Sequence, residues 1–209
     1  MAQNTSTAVM QRRLEPHDSL DFFPTPPWAT RALCEHVAPV AAHIVWDPAC
    51  GEGDMARPLS EYAIETFGSD VHDYGRGYLL HDFLQPYMPA GIPDAEWIVT
   101  NPPFRLGEQF IRRALDIASH GVAVLVRTAF LESRERYQLF SERPPAIVAQ
   151  FVERVPTVKG RLDAKASSAT AYCWIVWMTG QHDTRMRWIP PCRKFLERPE
   201  DYPIAGAAP

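Results

Sequence analysis

Short apolar runs that end on an acidic or amide residue recur along the chain, and turns and polar-faced helical stretches separate them. "HIVWDPAC" reads as a buried strand ending at Asp47, and "IETFGSD" as a second ending at Asp70. "LLHDFL" allows a short third strand, and "EWIVTNPPF" holds a fourth. "GVAVLVRTAF" is a run of apolar and β-branched residues, as expected of a central strand. "AIVAQFVERV" and "TAYCWIVWMTG" supply two more, joined by the loop "PTVKGRLDAKASSA". Between them lie helical patterns. In "PTPPWATRALCEHVAPV", Thr25 and the prolines open a helix with Trp28, Ala32 and Leu33 among its apolar positions. "GEGDMARPLSEYA" reads as a turn followed by a helix, and "ESRERYQLFSE" as a polar-faced helix. "GEQFIRRALDIASH" places Phe110, Ala114 and Ile117 at helical spacing.

Alternating strands and helices, with two strands together at the end, predict an open α/β sheet. It should be mostly parallel with an antiparallel terminal strand. There is no internal repeat and no heptad pattern. The expected layout is a polar arm over 1–20, one domain over 21–189 and a proline-rich tail over 190–209.

Composition adds limits. Apolar residues make up 46% of the 209-residue chain, enough for a packed core. No apolar run is long enough to span a bilayer, and the N-terminus lacks a secretory h-region. The four cysteines are scattered with no CxxC pair, which favours free thiols over disulfides or zinc. A cytoplasmic protein with no membrane partner is expected. The net charge is −4, against a strong field for nucleic acid, but the charge is uneven. Residues 1–104 carry 5 Lys/Arg against 14 Asp/Glu, whereas residues 105–165 carry 11 against 7. Such a middle segment can present a basic face to a polyanion or be an ordinary solvated surface.

The candidate chemistry lies at the predicted strand ends. "DPACGEG" joins a strand to a helix, and Gly51 and Gly53 permit a tight turn with close backbone approach to a ligand. Neither GxGxxG nor GK[ST] is present, so dinucleotide and P-loop readings are weak. Asp70, ending the next strand, stands where a carboxylate can accept both hydroxyls of a ribose. Asp82 can accept from an adenine amino group, with Phe83 beside the ring. Taken alone, each is equally a turn or cap residue. Ligands of such sheets sit outside the carboxyl ends of the strands, and Asp47, Asp70, Asp82 and Asn101 all fall there.

"NPPF" is the sharpest feature. The exocyclic amine of a nucleobase is a poor nucleophile because its lone pair is delocalised into the ring. Two rigid acceptors aimed at its hydrogens would pull the nitrogen towards tetrahedral geometry. The Asn101 side-chain oxygen and the Pro102 carbonyl can be that pair, with the diproline of Pro102 and Pro103 preorganising them. Phe104 can stack on the base.

"DPACGEG" followed by "NPPF" resembles the class I S-adenosylmethionine-dependent methyltransferases that methylate amines, especially the DNA adenine-N6 group. "DFFPTPPWATRAL", "HDFL" and "FVERV…AYCWIVWM" resemble further segments of that family, and the likeness covers about residues 20–180. It implies a Rossmann-like sheet of seven strands with the last antiparallel, S-adenosyl-L-methionine as cofactor, DNA as partner and no metal. Thr25 and Trp28 would lie near the methionine end and the lid. Asp47, Pro48, Ala49, Cys50, Gly51 and Gly53 would form the cofactor loop. Asp70 would hold the ribose, and Asp82 and Phe83 the adenine. Asn101, Pro102, Pro103 and Phe104 would take the target amine. Small single-domain members of this kind resemble those of phages and prophages. No separate target-recognition domain is evident, and the loop Pro156–Thr170 is the nearest substitute. There Lys159, Arg161 and Lys165 are candidate phosphate contacts, or simply residues of a flexible basic loop.

Other planar amines fit the same device: cytosine N4, an RNA base or a protein glutamine. A non-catalytic nucleic-acid-binding module that keeps the fold is the alternative from a different class.

Overall fold

The computed structural model describes residues 21–202; the expected arm and the end of the expected tail lie outside them. In chain order the elements are α1 (Pro27–His36), β1 (Ile44–Asp47), α2 (Ala56–Leu59), β2 (Glu65–Asp70), β3 (Leu79–Leu80), β4 (Trp97–Thr100) and α3 (Gly107–Ile117). They continue with β5 (Gly121–Arg127), α4 (Arg136–Glu142), β6 (Ile147–Phe151), β7 (Tyr172–Met178), β8 (Arg185–Ile189) and α5 (Arg193–Leu196). The strands form one sheet in the order β3-β2-β1-β4-β5-β7-β6-β8.

Strand β7 runs antiparallel to both β5 and β6, and the other pairings are parallel. The mostly parallel α/β class is as expected, but there are eight strands rather than seven. The strand read last from the sequence, β7, is the antiparallel one, and an eighth strand, β8, follows it and pairs parallel with β6 at the sheet edge. Its sequence "RMRWI" exposes every side chain but Ile189. An exposed edge strand leaves no hydrophobic alternation to read.

Strand side chains alternate between faces, so the sheet has two cores. Val122, Val124 and Val126 of β5 pack with Phe110, Ile111 and Ala114 of α3. Ala123 and Leu125 face the other way, into a core with Trp28 and Leu33 of α1. The Trp174 indole donates to the Ala29 carbonyl at 3.1 Å and ties β7 to α1. Arg31, 3% exposed, donates to Glu61, to Asp201 and to the Leu196 carbonyl. A buried guanidinium needs such partners, and here they dock the segment after α5 onto α1. Chain order reverses between β1, which continues to β2, and β4, on the opposite side of β1. A crevice is therefore expected at the carboxyl ends of β1 and β4. Among the described residues no helix is long and apolar enough to cross a membrane.

Candidate functional site

A cleft of about 270 Å³ opens at those strand ends. Thr25, Asp47, Pro48, Ala49, Cys50, Asp70, Asp82, Phe83, Asn101 and Pro103 line it. The fold thus gathers residues from five separate stretches of chain. Gly51, Gly53, Pro102 and Phe104 sit beside the cleft without lining it. Trp28 is elsewhere: it is fully buried in the α1 core, edge-on to Phe151 at 5.6 Å. Lys159, Arg161 and Lys165 belong to a separate loop. Arg161 lines a second cleft of about 690 Å³, which shares Phe22, Pro24 and Asp54 with the first.

The loop after β1 is held by a carboxylate at the end of β2. Asp70 accepts from the Gly51 amide at 2.9 Å and from the His72 amide at 3.0 Å. Gly51 and Gly53 have φ of +54° and +87°, which L-residues rarely adopt. The close approach at these glycines is made by aromatic rings of the protein. A Cβ on Gly51 would lie 2.4 Å from the Phe22 ring, and one on Gly53 2.0 Å from the Tyr78 hydroxyl. Asp82 accepts from the Leu84 amide at 3.0 Å and from Gln85 Nε2 at 3.1 Å. Phe83 is buried edge-on to Trp46 at 5.1 Å. The Cys50 thiol is buried, and burial pushes its pKa well above the usual thiol range.

Asp47 is 1% exposed and accepts from the Ala49 amide at 3.3 Å. Burial pushes its pKa from the ordinary 3.8 up to about 7, and the charges of Asp70 and Asp54 push the same way. The folded state therefore holds a proton that the unfolded chain releases. Stability from this group is fully present below pH 3.8, falls as pH rises towards 7, and is flat above that. Asp47→Asn, which keeps the acceptor without the charge, should melt above wild type at pH 8, by a margin that shrinks towards pH 5. Each kcal/mol is worth roughly 2–4 °C in a domain of this size. A melting difference that stays constant over that range would contradict the burial effect.

Asn101 ends up in an unusual state. Its amide nitrogen donates to the Phe23 carbonyl at 3.0 Å and to the Thr25 hydroxyl at 3.1 Å. A carbonyl can only accept, so this contact fixes which end of the amide is nitrogen. The Oδ1 atom is left buried without a partner. An orphaned buried acceptor costs about 1–3 kcal/mol, which is unusual unless something else uses it. Segment 21–25 straps across the site. The Asp21 carboxylate accepts from the Phe104 amide at 2.7 Å, and the Phe22 carbonyl accepts from the Gly160 amide at 3.0 Å. Phe23 lies 4.9 Å from Phe104, tilted by 43°. The strap thus couples "NPPF" to the basic loop, and the roles of Phe22, Phe23 and Asp21 were not read from sequence. The paired aromatics of "DFF" were the available signal.

Away from the cleft, His43, Glu96 and His120 come together although their spacing shows no metal motif. Each immediately precedes a strand, β1, β4 or β5, at the opposite end of the sheet. Glu96 lies 3.3 Å from His43 Nδ1 and 3.8 Å from His120 Nδ1.

No protein-family model matches the sequence, and no curated protein matches it. Solved structures do match by fold. A putative class I S-adenosylmethionine-dependent methyltransferase from Listeria monocytogenes superposes with a TM-score of 0.57 at 12% identity, over 86% of this chain and 68% of that one. A modification subunit of a putative type I restriction enzyme from Vibrio vulnificus gives 0.55 at 18% identity, over 88% of this chain. This chain covers only 50% of that subunit's length. A putative RNA methyltransferase from Pyrococcus horikoshii gives 0.57 at 13% identity, over 85% and 98% of the two chains. The chain has the Rossmann-like class I methyltransferase fold.

Proposed function

We propose that the protein is an S-adenosylmethionine-dependent methyltransferase acting on the N6 amine of an adenine extruded from DNA. The observation that carries this reading is Asn101. Its nitrogen is committed to the strap and its buried Oδ1 is free to accept, in the wall of a cleft lined by strand-end carboxylates. Two neighbours by fold are modification or methyltransferase subunits of type I restriction systems, which favours DNA. The Pyrococcus neighbour is described as a putative RNA methyltransferase, which makes RNA the second substrate to test.

The cleft fits the cofactor in its donor set. It is close to the lower end of the roughly 300–1,000 Å³ range of small-molecule pockets. Asp70 and Asp82 each accept two hydrogen bonds already, and a carboxylate has about four acceptor sites, so both keep capacity for hydroxyl or amino donors. Asp70 would hold the ribose, and Asp82 with Phe83 the adenine. When bound, S-adenosylmethionine supplies an electrophilic methyl group on a sulfonium.

The protein's own part is positioning. Asn101 Oδ1 and the Pro102 carbonyl accept the two amine hydrogens and turn the nitrogen lone pair out of the ring. The strap locks the Asn101 rotamer before substrate arrives, so little ordering is left for the reaction step. The methylated amine would shed one of its two protons to solvent, since neither Asn101 Oδ1 nor the Pro102 carbonyl is basic enough to keep it. A cysteine nucleophile is not required, and the buried, protonated Cys50 is unsuited to act as one. The base must leave the stack, because its amine cannot reach the cleft from inside a duplex.

The loop Pro156–Thr170 would meet phosphates. Arg161 and Lys165 are exposed, although Arg161 reaches Asp163 at 3.3 Å. Replacing Lys159 and Arg161 together should flatten the dependence of log affinity on log salt by about two counterions. An unchanged slope would put the DNA path elsewhere. The activity itself is tested by incubating the protein with methyl-labelled cofactor and separate pools of DNA, RNA and protein. Label entering DNA supports the reading. Label in RNA or protein alone would replace the substrate class.

A further inference from the structure

Arg127 ends β5 beside "NPPF". Its guanidinium carbon lies 3.9 Å from the centre of the Phe104 ring and 5.9 Å from that of Phe23. Its Nε is buried with no hydrogen-bond partner. Among the described residues Arg127 has no carboxylate partner; Arg113, Arg136 and Arg187 lack one too, but each donates to a backbone carbonyl. A guanidinium carries five N–H donors and never loses its charge at ordinary pH. Stacking on an aromatic ring returns about 0.5–2 kcal/mol, but it satisfies none of those donors. Nε is buried without an acceptor, which is costly, and the half-buried guanidinium suits a cation waiting for an anionic partner.

The surface it covers matters as much. Phe104 is the ring on which the proposed target base would stack, and a flat guanidinium at 3.9 Å already lies over it. A base and the guanidinium cannot share that face. Resting on the methyltransferase reading above, we propose that Arg127 is a substrate-binding residue which keeps the target-base seat on Phe104 occupied in the free protein. As the extruded base takes the ring, the guanidinium is displaced and its donors pair with a phosphate flanking the extruded nucleotide. Planarity serves the first state, and the charge-assisted fork serves the second. One side chain thus links base entry to backbone capture.

The test compares wild type with Arg127→Lys, Arg127→Met and Arg127→Ala. Arg127→Met keeps a long stem against Phe104, and melting temperatures check folding. DNA binding is followed by fluorescence anisotropy of a mixed-sequence duplex across salt, with S-adenosylhomocysteine present. Methyl transfer to unmethylated plasmid DNA gives kcat and KM. Arg127→Met and Arg127→Ala should flatten the salt slope by about one counterion and raise KM for DNA about tenfold or more. Their kcat should change much less, and cofactor affinity not at all. Arg127→Lys should restore the slope but only part of KM, because lysine keeps the charge and loses the planar fork. If wild type methylates DNA and Arg127→Met keeps the wild-type slope and KM, the proposal falls while the methyltransferase reading stands. The same holds if the variants lose melting temperature alone. If wild type neither binds nor methylates DNA, both fall.

Discussion

Replacing Asn101 by alanine should reduce methyl transfer by roughly 10²–10³-fold or more, the loss seen when one preorganised polar contact is removed from a transition state. Cofactor binding should be retained, because the carboxylates proposed to hold the cofactor lie elsewhere, Asp70 at the end of β2 and Asp82 after β3. The change also removes the donors to Phe23 and Thr25, so the strap loses two anchors. Asn101→Asp separates the two effects. It keeps an oxygen for the amine but cannot donate to the Phe23 carbonyl. If locking the rotamer matters, Asn101→Asp should also be strongly impaired in kcat. Near-wild-type turnover in Asn101→Ala would remove the amine-holding role.

Asp70→Ala should have the largest effect on cofactor binding. At a hundredfold excess over its dissociation constant, cofactor should stabilise the wild-type fold by about 2.7 kcal/mol. For a domain of this size that is a melting rise of roughly 5–11 °C. Hydrogen bonds to a charged acceptor are worth about 1.5–3 kcal/mol, so the variant should lose most of the rise. It also loses the acceptor of the Gly51 amide, which shapes the loop after β1. Asp70→Asn keeps an acceptor for that amide and should recover part of the affinity. An undiminished melting shift in Asp70→Ala, measured by scanning fluorimetry, would place the cofactor elsewhere.

Two of the strand ends that build this site were legible because each is marked twice. Asp47 closes and Asn101 follows an apolar run, and proline comes directly behind each, whereas Asp70 closes a mostly polar strand. Parallel strands buried on both faces write such runs, so β1, β4 and β5 could be read almost residue by residue. β8 could not, since its side chains are exposed and its pairing comes from the backbone. Helix α2 is shorter than its sequence suggests because residues 51–55 remain in turns. The family resemblance puts Trp28 near the lid, but helix α1 starts at Pro27 and Trp28 is fully buried in the core.

Contacts across the fold carried no local signal. The strap reaches Asn101 and Phe104 across about eighty residues of sequence, and no periodicity encodes which amide meets which carbonyl. The same is true of Arg127 on Phe104 and of Glu96 between its two histidines. Sequence could propose that Asn101 offers an oxygen. Only the fold distinguishes the free oxygen from the engaged nitrogen.

The most direct measurement is the nucleoside profile of DNA treated with the protein and S-adenosylmethionine, read by mass spectrometry after complete digestion. The expected result is N6-methyladenine that accumulates with wild type and is nearly absent with Asn101→Ala. N4-methylcytosine in its place would correct the base and keep the amine chemistry. Unmodified DNA, with methyl groups found on RNA or protein, would contradict DNA adenine methylation outright.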